Sequence, residues 1–195
     1  MVHLQGAVSQ TSAAGTGANL IGTLPLAARP ASTVYTIVQD CSGPYADLAI
    51  EPNGTLALID PRPPAGKAFD CISLESITYR PAGSGNALPA NSVNWTGRAG
   101  FQSRGPAWFK DASGLVHLQG AVSQASSSGG GANLIGTLPA AAAPPYTVYT
   151  IVHTYLGTYA DLAIEPSGQL ALIDPWPPMV KDYTFVSLEG ITYRR

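Results

Sequence analysis

Charged residues are scarce in this sequence. They make up 11% of its 195 residues, with 10 Lys and Arg against 12 Asp and Glu, whereas about 25% is usual for globular proteins. The net charge of −2 offers no basic surface for nucleic acid or for an anionic membrane, so the sequence predicts neither partner. A hydrophobic share of 45% argues against disorder, because disordered chains are poor in branched apolar residues.

The sequence also lacks the signatures of several large protein classes. No apolar run approaches the roughly 18 residues that span a bilayer, so no membrane insertion is predicted. The opening residues, MVHLQGAVSQ, contain neither the basic nor the apolar region of a signal peptide. No segment combines a 3.6-residue apolar period with helix caps, whereas several short segments alternate between apolar and polar residues. With 21 Gly and 17 Pro spread along the chain, the pattern predicts an all-β fold of short strands and turns.

The dominant feature that is present is an internal repeat. A shift of 114 residues aligns positions 2–80 with 116–194 without a gap, and 55 of the 79 aligned positions are identical. The nonapeptide VHLQGAVSQ at 2–10 recurs unchanged at 116–124. Two copies of this length are too few and too long for a solenoid, so the repeat indicates the tandem duplication of one domain.

The repeat sets the expected domain boundaries. Between the copies, residues 81–91 are Pro, Gly, Ser and Asn without periodicity, which predicts a flexible linker. Residues 92–115 hold two strand-like stretches, SVNW and AWFKD, that have no counterpart before copy 1. We therefore predict two tandem antiparallel β-sandwich units of jelly-roll type, copy 1 at 1–80 and copy 2 at 92–195.

On this interpretation the first copy lacks its front strands. It would begin inside a domain, either as part of a longer protein or as a unit that a neighbouring chain completes. The alternative assigns residues 92–115 to the end of copy 1.

Local patterns predict individual strands. The nonapeptide alternates as one half-buried strand. Residues 45–60 indicate a hairpin, in which a three-residue Pro-Asn-Gly loop at 52–54 pairs Ile50 with Leu56 and keeps one face apolar. A phase slip in CISLESITYR predicts a β-bulge at Glu75–Ser76.

The two cysteines both lie in copy 1. Cys41 and Cys71 correspond to Tyr155 and Phe185 in copy 2, and this joint replacement suggests that the two positions touch. A Cys41–Cys71 disulfide is predicted if the protein works outside the cell, and two buried thiols are the alternative. Two cysteines without a matching histidine pair do not make a zinc site, so no metal is predicted.

No catalytic constellation emerges from the sequence. The histidines His3 and His117 occupy one repeated position on the outward face of the predicted strand, without a nucleophile motif. In the predicted hairpin, Asp47 and Asp60 point to opposite faces and do not converge. No P-loop, Rossmann glycine pattern or EF-hand appears. We therefore expect no catalytic residue and no cofactor.

Aromatic side chains at positions where the copies differ are the remaining candidates for ligand binding. They are Tyr146, His153, Tyr155 and Trp176 in copy 2, while copy 1 has Arg62 at the position of Trp176. Trp176 stands in DPWPP, where prolines would hold its ring rigidly toward a sugar or a receptor. The alternatives are packing within the domain and contact with another subunit.

The order of phrases resembles a known family. AWFKDASGLVHLQGAVSQ is followed by IGTLP, a Pro-containing loop, TVYTIV, ADLAIEPNGTLALI in copy 1 and VSLEGITYR in copy 2. This order resembles the C-terminal receptor-binding modules of bacteriophage tail fibres and of related tail-like assemblies. The resemblance covers 104–194 fully and 2–80 without the front part. It implies a small, usually homotrimeric β-sandwich that binds cell-surface polysaccharide or protein, located on a virion or outside the cell.

The sequence therefore leads to a non-enzymatic receptor- or glycan-binding adhesion module of a phage tail fibre or tail-like particle. One alternative is a secreted bacterial lectin with two unequal carbohydrate sites. A structural oligomerisation spacer is another, and a fragment of a polysaccharide depolymerase is the enzymatic one.

Overall fold

The chain folds into two compact units, Met1–Gly83 and Ser84–Arg195. A computed structural model describes residues 1–10, 19–41, 45–60, 71–83, 85–92, 94–97, 101–126, 132–154, 158–175 and 183–195. In these ranges the chain forms β-strands and one short 3-10 helix, and neighbouring strands are antiparallel. The all-β prediction is confirmed.

Unit 1 contains eight strands in the part that the structure describes. They are β1 (Val2–His3), β2 (Ala7–Val8), β3 (Leu20–Thr23), β4 (Val34–Gln39), β5 (Tyr45–Ile50), β6 (Thr55–Asp60), β7 (Ile72–Ser73) and β8 (Thr78–Tyr79). The 3-10 helix, Leu26–Ala28, follows β3. One sheet has the order β3-β6-β5-β4, while β1 pairs with β8 and β2 pairs with β7.

Unit 2 contains eleven strands in its described residues. They are β9 (Asn86–Ala87), β10 (Trp95–Gly97), β11 (Ala107–Lys110), β12 (Leu115–Gln119), β13 (Ala121–Gln124), β14 (Leu134–Thr137), β15 (Val148–Thr154), β16 (Thr158–Ile164), β17 (Gln169–Pro175), β18 (Val186–Ser187) and β19 (Thr192–Arg194). They form a seven-stranded sheet, β10-β13-β18-β15-β16-β17-β14, and a four-stranded sheet, β19-β12-β11-β9.

The two units share one strand plan. Each strand of unit 1 has a counterpart 114 residues later, from β1 and β12 to β8 and β19. The strands β9, β10 and β11 have no counterpart among the described strands of unit 1. We call residues 85–110, which contain these three strands, the front segment. In unit 2 this segment adds β11 beside β12 and β10 beside β13.

The linker predicted at 81–91 is corrected by the structure. Asn86–Ala87 pairs with β11, and Leu88 is buried in the core of unit 2 with 3% of its surface exposed. The amide of Asn91 donates to the carbonyl of Ile135. These residues belong to unit 2, because they bury apolar surface and form backbone pairs that a linker would leave to water.

The predicted hairpin register is confirmed. Ile50 lies opposite Leu56, and Gly54 takes φ +93° in the loop. A bulge that the sequence did not reveal shifts the register further along, so that Asp47 lies opposite Asp60. The expectation that these two positions do not converge is therefore wrong at the level of the backbone.

The nonapeptide is two strands and not one. Gly120 has φ +85° between β12 and β13, and a Cβ atom there would lie 2.1 Å from the carbonyl oxygen of Gly105. Glycine is required where the chain turns here from one sheet to the other, because positive φ disfavours a side chain and backbone atoms already occupy the space of a Cβ atom. Gly6 has φ +91° at the equivalent corner of unit 1.

A second sheet change replaces the predicted bulge at Glu75–Ser76. The chain turns there between β7 and β8, with Ser76 at φ 70° and the amide of Ile77 donating to the carbonyl of Leu74. Gly190 occupies the position of Ser76 in unit 2, at φ 80°. Strands β18 and β19 consequently lie in different sheets of unit 2.

Each unit has its own apolar core. In unit 2 the buried cluster combines Val116 and Leu118 of one sheet with Val122, Leu162 and other residues of the seven-stranded sheet. Two sheets that share a core in this way form a β-sandwich. In unit 1 the fully buried cluster centres on β4, β5 and β6, and the equivalents of Val116, Leu118 and Val122 are only partly buried.

One tyrosine contact closes both units in the same way. The hydroxyl of Tyr79 donates to the carbonyl of Ala28 at 2.5 Å, and that of Tyr193 donates to the carbonyl of Ala142 at 2.9 Å. Burial raises the pKa of both phenols, that of Tyr79 to about 12. The last strand of each repeat is thereby attached to the turn that follows its third strand.

Candidate functional site

Large apolar side chains are exposed on the sheet of unit 2. Tyr149 and Ile151 lie two residues apart on β15, and Tyr159 and Ile173 lie on β16 and β17. Tyr146 precedes β15 and is the most exposed, at 82%. We call these five residues the tyrosine face. Several exposed aromatic and aliphatic side chains in one unit indicate a surface for contact.

The register explains why part of this group forms a patch. Residues two apart on a strand point to the same side, so Tyr149 and Ile151 project together while Val152 enters the core. Opposite Ile151 lies Asp161, which is half-buried and carries the only carboxylate among the described side chains of β15, β16 and β17. The patch therefore combines phenol rings, aliphatic groups and one acid.

The equivalent sheet of unit 1 exposes less aromatic surface. Tyr35, the equivalent of Tyr149, is half-buried, and its pKa is raised by burial and by the nearby charge of Glu51. Ser32 stands where unit 2 has Tyr146. Tyr45 and Ile59 remain exposed, each at 45%. The two units thus present unequal surfaces at equivalent positions.

The structure separates the ligand-binding residues predicted from the sequence. Tyr146 is exposed as expected. His153 is buried, with 5% of its surface exposed, and its ring packs edge-on against Phe185 at 5.5 Å. The expectation that His153 faces a ligand is therefore wrong. Tyr155, Trp176 and Arg62 lie outside the described residues.

Sequence reasoning missed Tyr149 and Ile151. Both residues are shared with copy 1, whereas the candidate binding residues came only from positions where the copies differ. The alternation of TVYTIV was the available signal, because it places apolar residues on both faces of the strand and a single core cannot bury both.

A hydroxyl, an imidazole and a carboxylate lie in line on the four-stranded sheet. Thr192 Oγ1 is 3.0 Å from His117 Nδ1, and Asp111 Oδ2 is 2.8 Å from His117 Nε2. The hydrogen bond to His117, followed by one from Ser113, holds the pKa of Asp111 well below its usual 3.8. Asp111 also accepts from the amides of Ser113 and Leu115 in the turn before β12.

The burial of His117 indicates a structural role for this group. His117 is 5% exposed and lies parallel to the ring of Phe109, with centroids 4.7 Å apart. A general base must reach its substrate, and here both ring nitrogens and one ring face are occupied. The expectation that His117 lies on an outward face is wrong, whereas the equivalent His3 is exposed.

The structure joins Cys41 and Cys71 as a disulfide, with their Cα atoms 5.3 Å apart. The amide of Cys41 also donates to the carbonyl of Cys71. The bond links the end of β4 to the start of β7 across 30 residues. It lies in unit 1.

The described residues contain no group of three or more His, Cys, Asp or Glu side chains that could hold a metal ion. The same residues contain no helix that is long and apolar enough to cross a membrane. Comparison with protein-family models, with curated proteins and with solved structures finds no match for this chain.

Proposed function

We propose that the protein is a non-enzymatic receptor-binding module of a bacteriophage tail fibre or tail-like particle, and that the tyrosine face contacts a cell-surface polysaccharide or glycoprotein. The exposed side chains of that face, above all Tyr146 and Tyr149, are the observation that supports the proposal. The order of sequence phrases, which resembles such modules, points in the same direction.

Sugar chemistry fits this surface. The C–H groups of a pyranose ring stack on phenol rings, and tyrosine offers a large contact area at little conformational cost. Tyrosine hydroxyls can donate hydrogen bonds to sugar hydroxyls and accept hydrogen bonds from them, and the carboxylate of the half-buried Asp161 can accept them. A surface with few charges suits a neutral glycan better than a charged one.

We further propose that each unit is a jelly-roll-like β-sandwich that arose by tandem duplication. The shared strand plan and the glycine corners at Gly6 and Gly120 support this interpretation. In the assembled particle the module would act as a homotrimer, as the resemblance implies.

The proposal is tested by binding to a bacterial glycan array and to whole cells. Replacing both Tyr146 and Tyr149 with Ser should weaken binding about tenfold or more, because two stacking contacts are lost. Tyr45→Ser in unit 1 is the matched control and should have little effect. Full binding by a folded Tyr146→Ser/Tyr149→Ser variant would exclude the tyrosine face as the contact.

A secreted lectin with two unequal carbohydrate sites is the second candidate, and the unequal exposure of Tyr35 and Tyr149 favours it. Light scattering distinguishes the two, since the lectin predicts a monomer and the tail-fibre module predicts a trimer. A trimer that binds no glycan and no cell would instead favour the oligomerisation spacer.

A further inference from the structure

The two units differ in how their first strands are paired. In unit 2, β12 lies between β11 and β19, and β13 lies between β10 and β18. In unit 1, the equivalent strand β1 pairs with β8 and β2 pairs with β7, and no other described strand pairs with them. Each of these strands therefore has one open edge, at the place that the front segment covers in unit 2.

Backbone groups at these edges can form hydrogen bonds. In an antiparallel pair, alternate residues direct their amide and carbonyl groups to one neighbour. The amide of Leu4 donates to the carbonyl of Ile77 on the closed side, so those of His3 and Gln5 face the open side. In unit 2 the amide of Ala121 donates to the carbonyl of Arg104 in the front segment, and Ala7 is its equivalent in unit 1.

Apolar side chains at the same positions are left partly uncovered. Six residues that unit 2 buries have identical counterparts that are only partly buried in unit 1. The pairs are Val116 and Val2, Leu118 and Leu4, Val122 and Val8, Ile135 and Ile21, Leu138 and Leu24, and Leu188 and Leu74. In unit 2 the front segment contributes Leu88 and Trp95 to the core that covers them.

A carboxylate marks the same site. Glu189 Oε1 accepts from the amide of Gly120, and the guanidinium of Arg104 binds both its oxygens, at 2.6 and 2.8 Å. In unit 1, Glu75 Oε1 accepts from the amide of Gly6 in the same way, at 2.8 Å, but its side chain is exposed. Among the described residues no arginine binds Glu75, whereas the arginine that binds Glu189 comes from the front segment.

The repeated histidine, like the repeated glutamate, is covered by other groups in unit 2 and exposed in unit 1. His117 stacks on Phe109 and binds Asp111, which directly follows β11. His3 keeps the contact with Thr78 that corresponds to the Thr192 contact, at 3.0 Å, and it is exposed. Unit 1 therefore exposes the carboxylate of Glu75 and the imidazole of His3 at the positions where unit 2 binds Arg104, Phe109 and Asp111.

We propose that the open edges of β1 and β2 bind a front segment of a partner polypeptide by strand addition. The partner carries an arginine for Glu75, and five and seven residues later an aromatic ring and a carboxylate for His3, in the spacing of Arg104, Phe109 and Asp111. A second copy of this chain is not the partner, because unit 2 already holds that copy's front segment. Main-chain pairing would give affinity, and these side chains would give specificity.

The experiment uses the complete chain and a synthetic peptide with the sequence of residues 85–114. Calorimetry should show binding, and hydrogen exchange should show new protection at the amides of residues 3–9. Glu75→Gln should weaken binding about thirtyfold or more, because an arginine is then buried against a neutral group. Arg104→Ala in the peptide should have a similar effect.

Glu51→Gln, a change of the same kind on the hairpin of unit 1, is the control and should bind the peptide as the unaltered chain does. Equal affinity of the Glu75→Gln and Glu51→Gln variants would overturn the proposal. So would protection confined to residues 115–124, since the peptide would then be exchanging into unit 2.

A second experiment uses a covalent fusion, so that the test does not depend on the affinity of the free peptide. Residues 85–114 are fused ahead of Met1, whose position corresponds to that of Leu115. Protection at residues 3–9 and a higher melting temperature of unit 1 are expected. A folded fusion protein in which these amides exchange as before would overturn the proposal.

Discussion

The nonapeptides at 2–10 and 116–124 have the same sequence and opposite environments. At 116–122 the side chains are buried in unit 2, whereas none of residues 2–10 reaches full burial in unit 1. His117 is 5% exposed and His3 is exposed. In unit 2 the front segment adds neighbouring strands to β12 and β13. Alternation therefore predicts a strand, whereas the neighbouring strands determine whether its side chains belong to the core.

The largest difference in stability between equivalent variants of the two units is expected at the buried ion pair of Arg104 and Glu189. Glu189→Gln should lower the free energy of unfolding of unit 2 by about 3 kcal/mol or more, because Arg104 keeps a charge that has lost its partner. Glu75→Gln should change that of unit 1 by less than about 0.5 kcal/mol, as is usual at a surface. All three tryptophans lie in residues 84–195, so denaturation followed by tryptophan fluorescence reports unit 2, and calorimetry reports both units.

Equal losses from the two Glu→Gln variants would contradict the view that the front segment makes the difference. Arg104→Ala provides a second measurement, since it leaves the carboxylate of Glu189 buried and should be similarly destabilising.

The disulfide allows a test in which only unit 1 should lose stability. Changing Cys41 and Cys71 together to Ser should lower its free energy of unfolding by about 3 kcal/mol, because a closed loop of this length restricts the unfolded chain. Calorimetry with and without a reducing agent measures the effect. Unit 2 contains no cysteine, so its transition should stay in place, and a shift there would contradict independent unfolding of the units.

The two histidines allow a smaller test with identical chemistry. His117→Ala should destabilise unit 2 by about 2 kcal/mol, because a buried ring contact and two hydrogen bonds are lost. His3→Ala should change unit 1 by less than about 0.5 kcal/mol. Thermal unfolding of the two variants measures both effects, and a large effect of His3→Ala would show that its position is already covered.

Acid provides the mildest test. The pKa of Asp111 is lower in the folded protein than its usual 3.8, so its contacts stabilise unit 2 fully above that value and are lost as the pH falls below it. Asp111→Asn should therefore flatten the dependence of the unit 2 melting temperature on pH below about 4. Fluorescence melts between pH 2 and pH 6 would show this, and parallel curves would contradict it.

Local features of the fold were predictable from sequence. The Pro-Asn-Gly loop and the alternation around it predicted the pairing of Ile50 with Leu56, because turn chemistry and a single apolar face determine the register. The repeat predicted matching strands 114 residues apart, and each described strand of unit 1 has a counterpart at that spacing.

Features that depend on distant contacts were not predictable. Arg104 and Glu189 are 85 residues apart, and nothing local indicates that they meet. The sequence places Gly120 inside a strand, because nothing local shows that the carbonyl of Gly105 occupies the space that a Cβ atom at position 120 would need. Tyr149 is shared with Tyr35 of copy 1, so a search for positions that differ does not find it, and its exposure depends on what covers the sheet in each unit.

The identical nonapeptides also have a consequence for how the chain folds during synthesis. The ribosome makes residues 2–10 first, the front segment next and residues 116–124 last, and domains tend to fold in that order. For a short time the only matching partner of the newly made front segment is therefore the earlier copy. The mature pairing with β12 and β13 must outcompete this early association, so pausing of translation after residue 110 should increase the yield of misassembled chains.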